Sequence, residues 1–114
     1  MTAQHENLGD VLNRLMTTID SRRRADPAQS YTASLFSGGV EGCARKFGEE
    51  AIEAVVAGVA GDKSALIQEA ADSLYHLLVL LAVANISGDE VADVLKRREK
   101  KSGHEEKAAR RKSD

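Results

Sequence analysis

The fold of this chain is decided by two acidic stretches, Lys46-Phe47-Gly48-Glu49-Glu50-Ala51-Ile52-Glu53 and, fifteen residues later, Glu69-Ala70-Ala71-Asp72. Both stretches lie in segments that are otherwise rich in alanine and branched aliphatic residues, and alanine and leucine favour helices. Five carboxylates that repeat at helical spacing beside apolar residues are not typical of a solvated surface. We therefore predict a metal site built between two antiparallel helices.

The acids of the first stretch form a narrow stripe on its helix. On a wheel of about 100° per residue, Glu49, Glu53 and Lys46 fall within about 60° of one another, and Glu50 lies about 100° from Glu49. Ile52 borders this stripe on one side, and apolar residues occupy the opposite arc. The acidic face is therefore enclosed by apolar neighbours.

Two carboxylate pairs at i, i+3 spacing, Glu50/Glu53 and Glu69/Asp72, can converge if their helices are antiparallel neighbours. Four anions so close together would repel one another, and a divalent cation relieves that repulsion. Oxygen ligands favour magnesium, with manganese as the alternative, over zinc. Magnesium keeps waters and is completed by substrate phosphates, so the pattern predicts chemistry on a phosphate ester or anhydride.

The rest of the chain predicts an all-α domain. A single proline and an aromatic content of 4% leave a core of aliphatic residues that suit helices. A short helical turn is expected between Ala28 and Gly39. We predict four main helices, from about Glu6 to Arg24, from about Val40 to Ala60, from a cap at Asp62 or Ser64 to about Asn85, and from a capping box at Ser87-Gly88-Asp89-Glu90 to about Lys101.

The helix after Gly61 is apolar around most of its circumference from Leu66 to Ala84. Such a helix must be covered on nearly all sides, and one chain of this size offers too few partners. We therefore predict a four-helix bundle that is completed by formation of a homodimer. Residues 1–103 are expected to form one domain, and residues 104–114 a charged tail.

Bulk properties exclude several classes of protein. A net charge of −2 argues against nucleic-acid binding. The longest apolar run, Leu77 to Ala84, is far below the roughly 20 residues of a membrane span. Cys43 is the single cysteine and cannot form an internal disulfide, and the N-terminus has no apolar signal region. A soluble cytoplasmic protein is expected.

The acidic pattern resembles the MazG-like all-α NTP pyrophosphohydrolases, whose mark is EExxE, a spacer and ExxD. Within that group the chain is most similar to the phosphoribosyl-ATP pyrophosphohydrolase family of histidine biosynthesis. Phe47 departs from the family, which usually has a smaller aliphatic residue there. The likeness is carried by Ser30-Tyr31-Thr32-Ala33, Arg45-Lys46-Phe47-Gly48-Glu49-Glu50-Ala51, Glu69-Ala70-Ala71-Asp72-Ser73-Leu74-Tyr75-His76-Leu77-Leu78 and Ser102-Gly103-His104-Glu105-Glu106-Lys107.

The resemblance implies magnesium-dependent hydrolysis of phosphoribosyl-ATP to phosphoribosyl-AMP and pyrophosphate, the second step of histidine biosynthesis. Glu49 would hold a second ion or orient the attacking water. Lys46 would contact a phosphate, unless it only forms an i, i+4 ion pair with Glu50. The resemblance also implies substrate contacts by Ser30, Tyr31, Thr32, Lys107, Arg110 and Arg111, whereas composition alone indicates turn chemistry for the first three and a solvated tail for the others.

The roles of Glu49, Lys46 and His76 stay open, as do two rival functions. His76 is expected to pack near the acids or to support them, because a diiron bundle would need a second Glu-x-x-His motif. A broader MazG-like pyrophosphatase acting on other nucleoside triphosphates would use the same acids. A non-catalytic helical dimerisation module with an acidic groove is the third interpretation, and it predicts that Glu50→Gln and Asp72→Asn cost nothing functionally.

Overall fold

A computed structural model describes residues 5–100 and residue 110 of the chain. Over these residues it contains helices and turns and no strand, which confirms the all-α prediction. The four long helices predicted from the sequence are present, and the expected helical turn is a short fifth helix. In chain order the helices are α1 (Leu8–Ser21), α2 (Tyr31–Ser37), α3 (Gly39–Ala60), α4 (Lys63–Val83) and α5 (Gly88–Glu99).

Helices α3 and α4 form a tight hairpin, which is the largest helix pair of the fold. Gly61 ends α3 in the left-handed conformation, with φ of 73°, which favours glycine because it has no Cβ. Asp62 then caps α4 by accepting a hydrogen bond from the Ala65 amide at 3.0 Å. Gly58, near the end of α3, lies near Leu66 at the start of α4, and Cys43, near the start of α3, packs in one cluster with Val79 near the end of α4. The predicted antiparallel pairing is confirmed.

The other helix ends follow local capping chemistry. Asn7 caps α1, which therefore begins at Leu8, about two residues later than predicted. Ser87 and Glu90 form the predicted capping box at the start of α5. Helix α4 ends at Val83, two residues before the predicted end, because Asn85 adopts the left-handed conformation with φ of 61°.

The arginine run after α1 does not extend the helix, which ends at Ser21. Arg23 instead donates a hydrogen bond to the backbone oxygen of Ala82 at 2.7 Å, near the end of α4. Its guanidinium also lies 5.2 Å from the centroid of the Phe36 ring. Arg23 thereby links the ends of α1, α2 and α4.

The core is small and lies where α1, α3 and α4 meet. Ile19, Cys43 and Val79 are its fully buried members, and half-buried aliphatic and aromatic side chains pack around them. In α4 only His76 and Val79 are buried within one chain. Large apolar side chains stay exposed on the two central helices, including Ile52, Val55, Val56, Val59 and Ile67.

Helix α4 is long and apolar enough, by length and composition, to cross a membrane, since an 18-residue window has a mean hydropathy of 1.4. A core helix of a soluble protein passes the same test. Helix α4 packs along α3 and contributes Val79 to the core, although only 11% of that window is buried within one chain.

Candidate metal centre

Three carboxylates meet between α3 and α4. Glu50 comes from the middle of α3, and Glu69 and Asp72 come from the first half of α4. One ligand oxygen from each of the three lies within 4.8 Å of the corresponding oxygens of the other two. The meeting follows from the hairpin, because an antiparallel partner helix brings the i, i+3 pair of α4 opposite Glu50. The structure thus brings together three of the four residues predicted to bind the metal.

The burial of Glu50 and Glu69 suits a cation, whereas Asp72 is exposed. The Oε2 atom of Glu69 is buried and has no hydrogen-bond partner in the described part of the chain. The side chain of Glu50 is only 12% exposed. A buried carboxylate oxygen without a partner is costly, and a coordinated divalent ion would satisfy it. The donor set of hard oxygens matches magnesium or manganese.

Glu53, the fourth predicted ligand, lies beside this group and outside its 4.8 Å limit. Its side chain is exposed on α3. A hydrogen bond to Glu50 and the negative charges of Glu50 and Glu69 raise the pKa of the Glu53 carboxyl. Glu53 therefore feels the repulsion of the cluster, which is the condition that a cation relieves.

Lys46 forms an ion pair with Glu50, with 3.1 Å between Lys46 Nζ and Glu50 Oε1. This contact lowers the pKa of the Glu50 carboxyl and raises the pKa of the Lys46 ammonium. The i, i+4 ion pair that the spacing predicted is therefore present, and the contact of Lys46 with a phosphate stays a prediction. Glu49 is exposed on α3, and its charge contributes to the raised pKa of Lys46.

The hydroxyls of Ser30 and Thr32 have structural partners. Ser30 Oγ caps α2 by accepting a hydrogen bond from the Ala33 amide at 3.2 Å. Thr32 Oγ1 shares a hydrogen bond of 2.6 Å with the hydroxyl of Tyr75. Tyr31, between them, is exposed. Turn and cap chemistry accounts for Ser30, as composition alone indicated.

An aromatic group lies between α2 and the metal cluster. The Tyr31 and Tyr75 rings stack with a centroid distance of 6.3 Å and an interplanar angle of 19°. His76 is buried, and its ring meets the Tyr75 ring edge-on at 5.0 Å. Burial lowers the pKa of His76, whereas the charge of Glu50 opposes that shift. The packing interpretation of His76 is confirmed.

Tyr75 and Ser73 lie on α4 close in sequence to Asp72, and the acidic pattern predicted no role for either. Tyr75 follows Asp72 by three residues, so the i, i+3 spacing places both side chains on the same face of α4 and could have predicted that Tyr75 lies near the acids. The Ser73 Oγ atom is buried without a hydrogen-bond partner among the described residues. Ser73 follows Glu69 by one helical turn, and nothing in its residue type distinguished it from a core serine.

The tail residues are mostly outside this description. Lys107 and Arg111 lie outside the described residues. Arg110 is helical and exposed. The predicted substrate contacts of the tail therefore stay predictions.

Comparison with known proteins identifies the family of this site. The family model described as phosphoribosyl-ATP pyrophosphohydrolase matches residues 12–99. A Paracoccus denitrificans protein named phosphoribosyl-ATP pyrophosphatase is 54% identical over 100 residues, which cover 88% of this chain and 93% of that relative. Proteins of the same name from Rhodobacter capsulatus and Ruegeria pomeroyi are 54% and 50% identical over the same length, covering 97% and 95% of those relatives. The chain belongs to the phosphoribosyl-ATP pyrophosphohydrolase family.

Proposed function

We propose that this chain hydrolyses phosphoribosyl-ATP to phosphoribosyl-AMP and pyrophosphate with bound magnesium, as the second step of histidine biosynthesis. One phosphoanhydride P–O bond breaks, water supplies the oxygen of the new P–O bond, and a proton is released. The observation that carries the proposal is the meeting of Glu50, Glu69 and Asp72, with one Glu69 oxygen buried and unpartnered. The family and the names of the relatives supply the substrate.

Glu50, Glu53, Glu69 and Asp72 would hold the ion. Magnesium bound there would neutralise the phosphate charge that develops during bond cleavage, and manganese would serve the same purpose. Glu53 joins the set when its repulsion from Glu50 is relieved. Because α3 and α4 are rigid elements of one hairpin, they hold the carboxylates without a large rearrangement.

Glu49 and Lys46 act on the substrate and the water. Lys46, whose ammonium is paired with Glu50 on the same side of α3, would contact a phosphate oxygen of the substrate. Glu49, next to Glu50 and exposed, orients the attacking water or supports a second ion. Ser30, Tyr31, Thr32, Lys107 and Arg110 are the proposed substrate contacts.

The functional unit is a homodimer in the cytoplasm. Its support is the pair of central helices, whose apolar side chains are largely uncovered in one chain; Val59, for example, is 86% exposed. Contiguous exposed apolar surface marks an interaction site, and a second copy presents the same apolar face to it. The dimer would give α4 the cover that its composition requires.

A substrate panel tests the proposal. Purified protein is incubated with magnesium and phosphoribosyl-ATP, ATP, dCTP or dUTP, and released pyrophosphate is measured. We expect release from phosphoribosyl-ATP at a kcat/KM at least about tenfold above the other three. Release from dCTP or dUTP alone would favour the broader nucleotide pyrophosphatase. No release from any of them, with an intact fold, would favour a non-catalytic helical module.

A further inference from the structure

The Tyr31 ring is placed as a platform beside the metal cluster. Tyr31 is the first residue of α2, and its side chain is 58% exposed although one neighbour stacks on it. The ring behind it, Tyr75, is half-buried and is held by the hydrogen bond between its hydroxyl and Thr32 Oγ1. Because Tyr75 stacks on the Tyr31 ring and is itself held in place, the Tyr31 ring is pre-organised to stack with a flat ligand group.

The platform lies next to the groups proposed to handle phosphate. The Tyr31 and His76 ring centroids are 6.2 Å apart, and the His76 imidazole feels the charges of Glu50, Lys46, Asp72 and Glu49. The electrostatic influence of Tyr31 also reaches the Lys46 ammonium, which is paired with Glu50. One ligand can therefore place its polyphosphate at the acids and its base on Tyr31.

The base of the proposed substrate differs chemically from the base of ATP. In phosphoribosyl-ATP a ribose is attached to N1 of the adenine, and an N1-substituted adenine is a stronger base that holds a positive charge near neutral pH. A tyrosine face attracts a cation placed over it, whereas it gains only stacking from neutral adenine. An aromatic platform at this position can therefore discriminate between the two nucleotides.

We propose that Tyr31, backed by Tyr75, binds the cationic N1-substituted adenine of phosphoribosyl-ATP and makes the site prefer it to ATP. This inference rests on the proposed function and adds the feature of the substrate that is recognised. The charge of Lys46 would not oppose the cation strongly, because the substrate phosphate that Lys46 contacts would neutralise it and Glu49 adds a negative charge nearby.

An apolar groove on the other side of the acids is the rival position for the base. It is lined by Ile52, Val56 and Ala65 together with Glu53 and Glu69. None of the described residues that line this groove is aromatic, so a base bound there would be held by apolar contact and would show little preference for a cationic ring. The two positions thus predict different responses to an N1 substituent.

The test uses Tyr31→Leu, which removes the π face, and Tyr31→Phe, which keeps it. Phe36→Leu is the matched control, because Phe36 is an aromatic residue of the same helix whose ring faces Arg23. The probes are phosphoribosyl-ATP as substrate and 1-methyl-AMP and AMP as competitive inhibitors. Phosphoribosyl-ATP differs from ATP by a substituent at N1, and 1-methyl-AMP differs from AMP in the same place. Because 1-methyl-AMP carries the positive charge without the added ribose phosphate, it tests the effect of the charge alone.

We expect Tyr31→Leu to raise KM for phosphoribosyl-ATP about tenfold with little change in kcat, and to abolish the preference for 1-methyl-AMP over AMP. Phe36→Leu keeps both properties, Tyr31→Phe restores most of what Tyr31→Leu loses, and Tyr31→Leu keeps wild-type magnesium affinity. An unchanged KM in Tyr31→Leu, or equal weakening of both inhibitors, overturns the inference while the proposed function stands. If the wild-type protein releases no pyrophosphate from phosphoribosyl-ATP, the proposed function itself fails and the inference falls with it.

Discussion

The Lys46 ammonium lies 3.1 Å from a carboxylate oxygen of Glu50, one turn away on the same face of α3. Glu50 is also one of the three carboxylates that meet between α3 and α4. The Glu50 carboxylate is therefore shared between the ion pair with Lys46 and the proposed metal site. Binding of the ion is expected to free Lys46 for the substrate.

Replacing Lys46 with methionine tests that exchange. We expect kcat/KM for phosphoribosyl-ATP to fall about 10- to 100-fold, because a hydrogen bond between a charged donor and a phosphate contributes roughly 1.5–3 kcal/mol. The matched control is Arg45→Met, which breaks the neighbouring i, i+4 pair with Glu41 on an exposed part of α3. Similar losses in both variants would assign Lys46 to helix stability alone.

Replacing Glu53 with glutamine should have opposite effects on stability and on metal binding. In the metal-free protein the substitution removes a carboxyl whose pKa is raised by Glu50 and Glu69, so thermal unfolding in a chelator should shift upward. Magnesium affinity, measured by calorimetry, should fall at least about tenfold. An unchanged affinity would remove Glu53 from the ligand set.

The acidic cluster was accessible to sequence reasoning because helical periodicity relates chain spacing directly to direction around an axis. Glu50, Glu69 and Asp72 could be paired once Gly61 and Asp62 indicated a tight connection. The same logic placed Glu53 in the set, whereas its carboxylate lies outside the group of three, because the wheel fixes a direction and says nothing about side-chain reach. The spacing likewise could not decide whether Lys46 pairs with Glu50 or contacts a phosphate, because both roles use the same face of the helix.

Other contacts depend on tertiary packing that no local pattern encodes. The hydrogen bond between Thr32 and Tyr75 joins residues 43 positions apart. The length of α2 depends on a serine cap and on packing against α3 and α4, so the sequence indicated only a helical turn. Arg23 was expected to end α1 and instead reaches the end of α4.

His76 should make the stability of the metal-free protein depend on pH. Its folded pKa is lowered by burial, below the unfolded value of about 6.5, so the unfolded state binds more protons between the two values. Its contribution is therefore complete above about pH 6.5 and is lost as the pH falls from there toward the folded pKa. Chemical unfolding between about pH 8 and pH 5.5 should show a smaller loss in His76→Gln than in the wild type. Parallel curves for the two proteins would contradict this assignment.

The exposed apolar face of α3 and α4 should control assembly. We expect the wild-type protein to sediment as a dimer and the double variant Val55→Asp, Val59→Asp to sediment as a monomer, because a buried unpaired carboxylate is costly. Val40→Asp, at the opposite end of α3, is the control. A wild-type monomer at micromolar concentration would contradict the dimer.

The central claim is that the carboxylates between α3 and α4 bind the magnesium that hydrolysis requires, and Glu69→Gln tests it most directly. Pyrophosphate release from phosphoribosyl-ATP is measured as magnesium is titrated, with Glu41→Gln as a control for an exposed acid of α3. We predict that wild-type release is abolished by a chelator and restored by magnesium, and that Glu69→Gln lowers kcat/KM at least about 100-fold while remaining folded. A folded Glu69→Gln protein with wild-type activity and magnesium dependence would contradict the account.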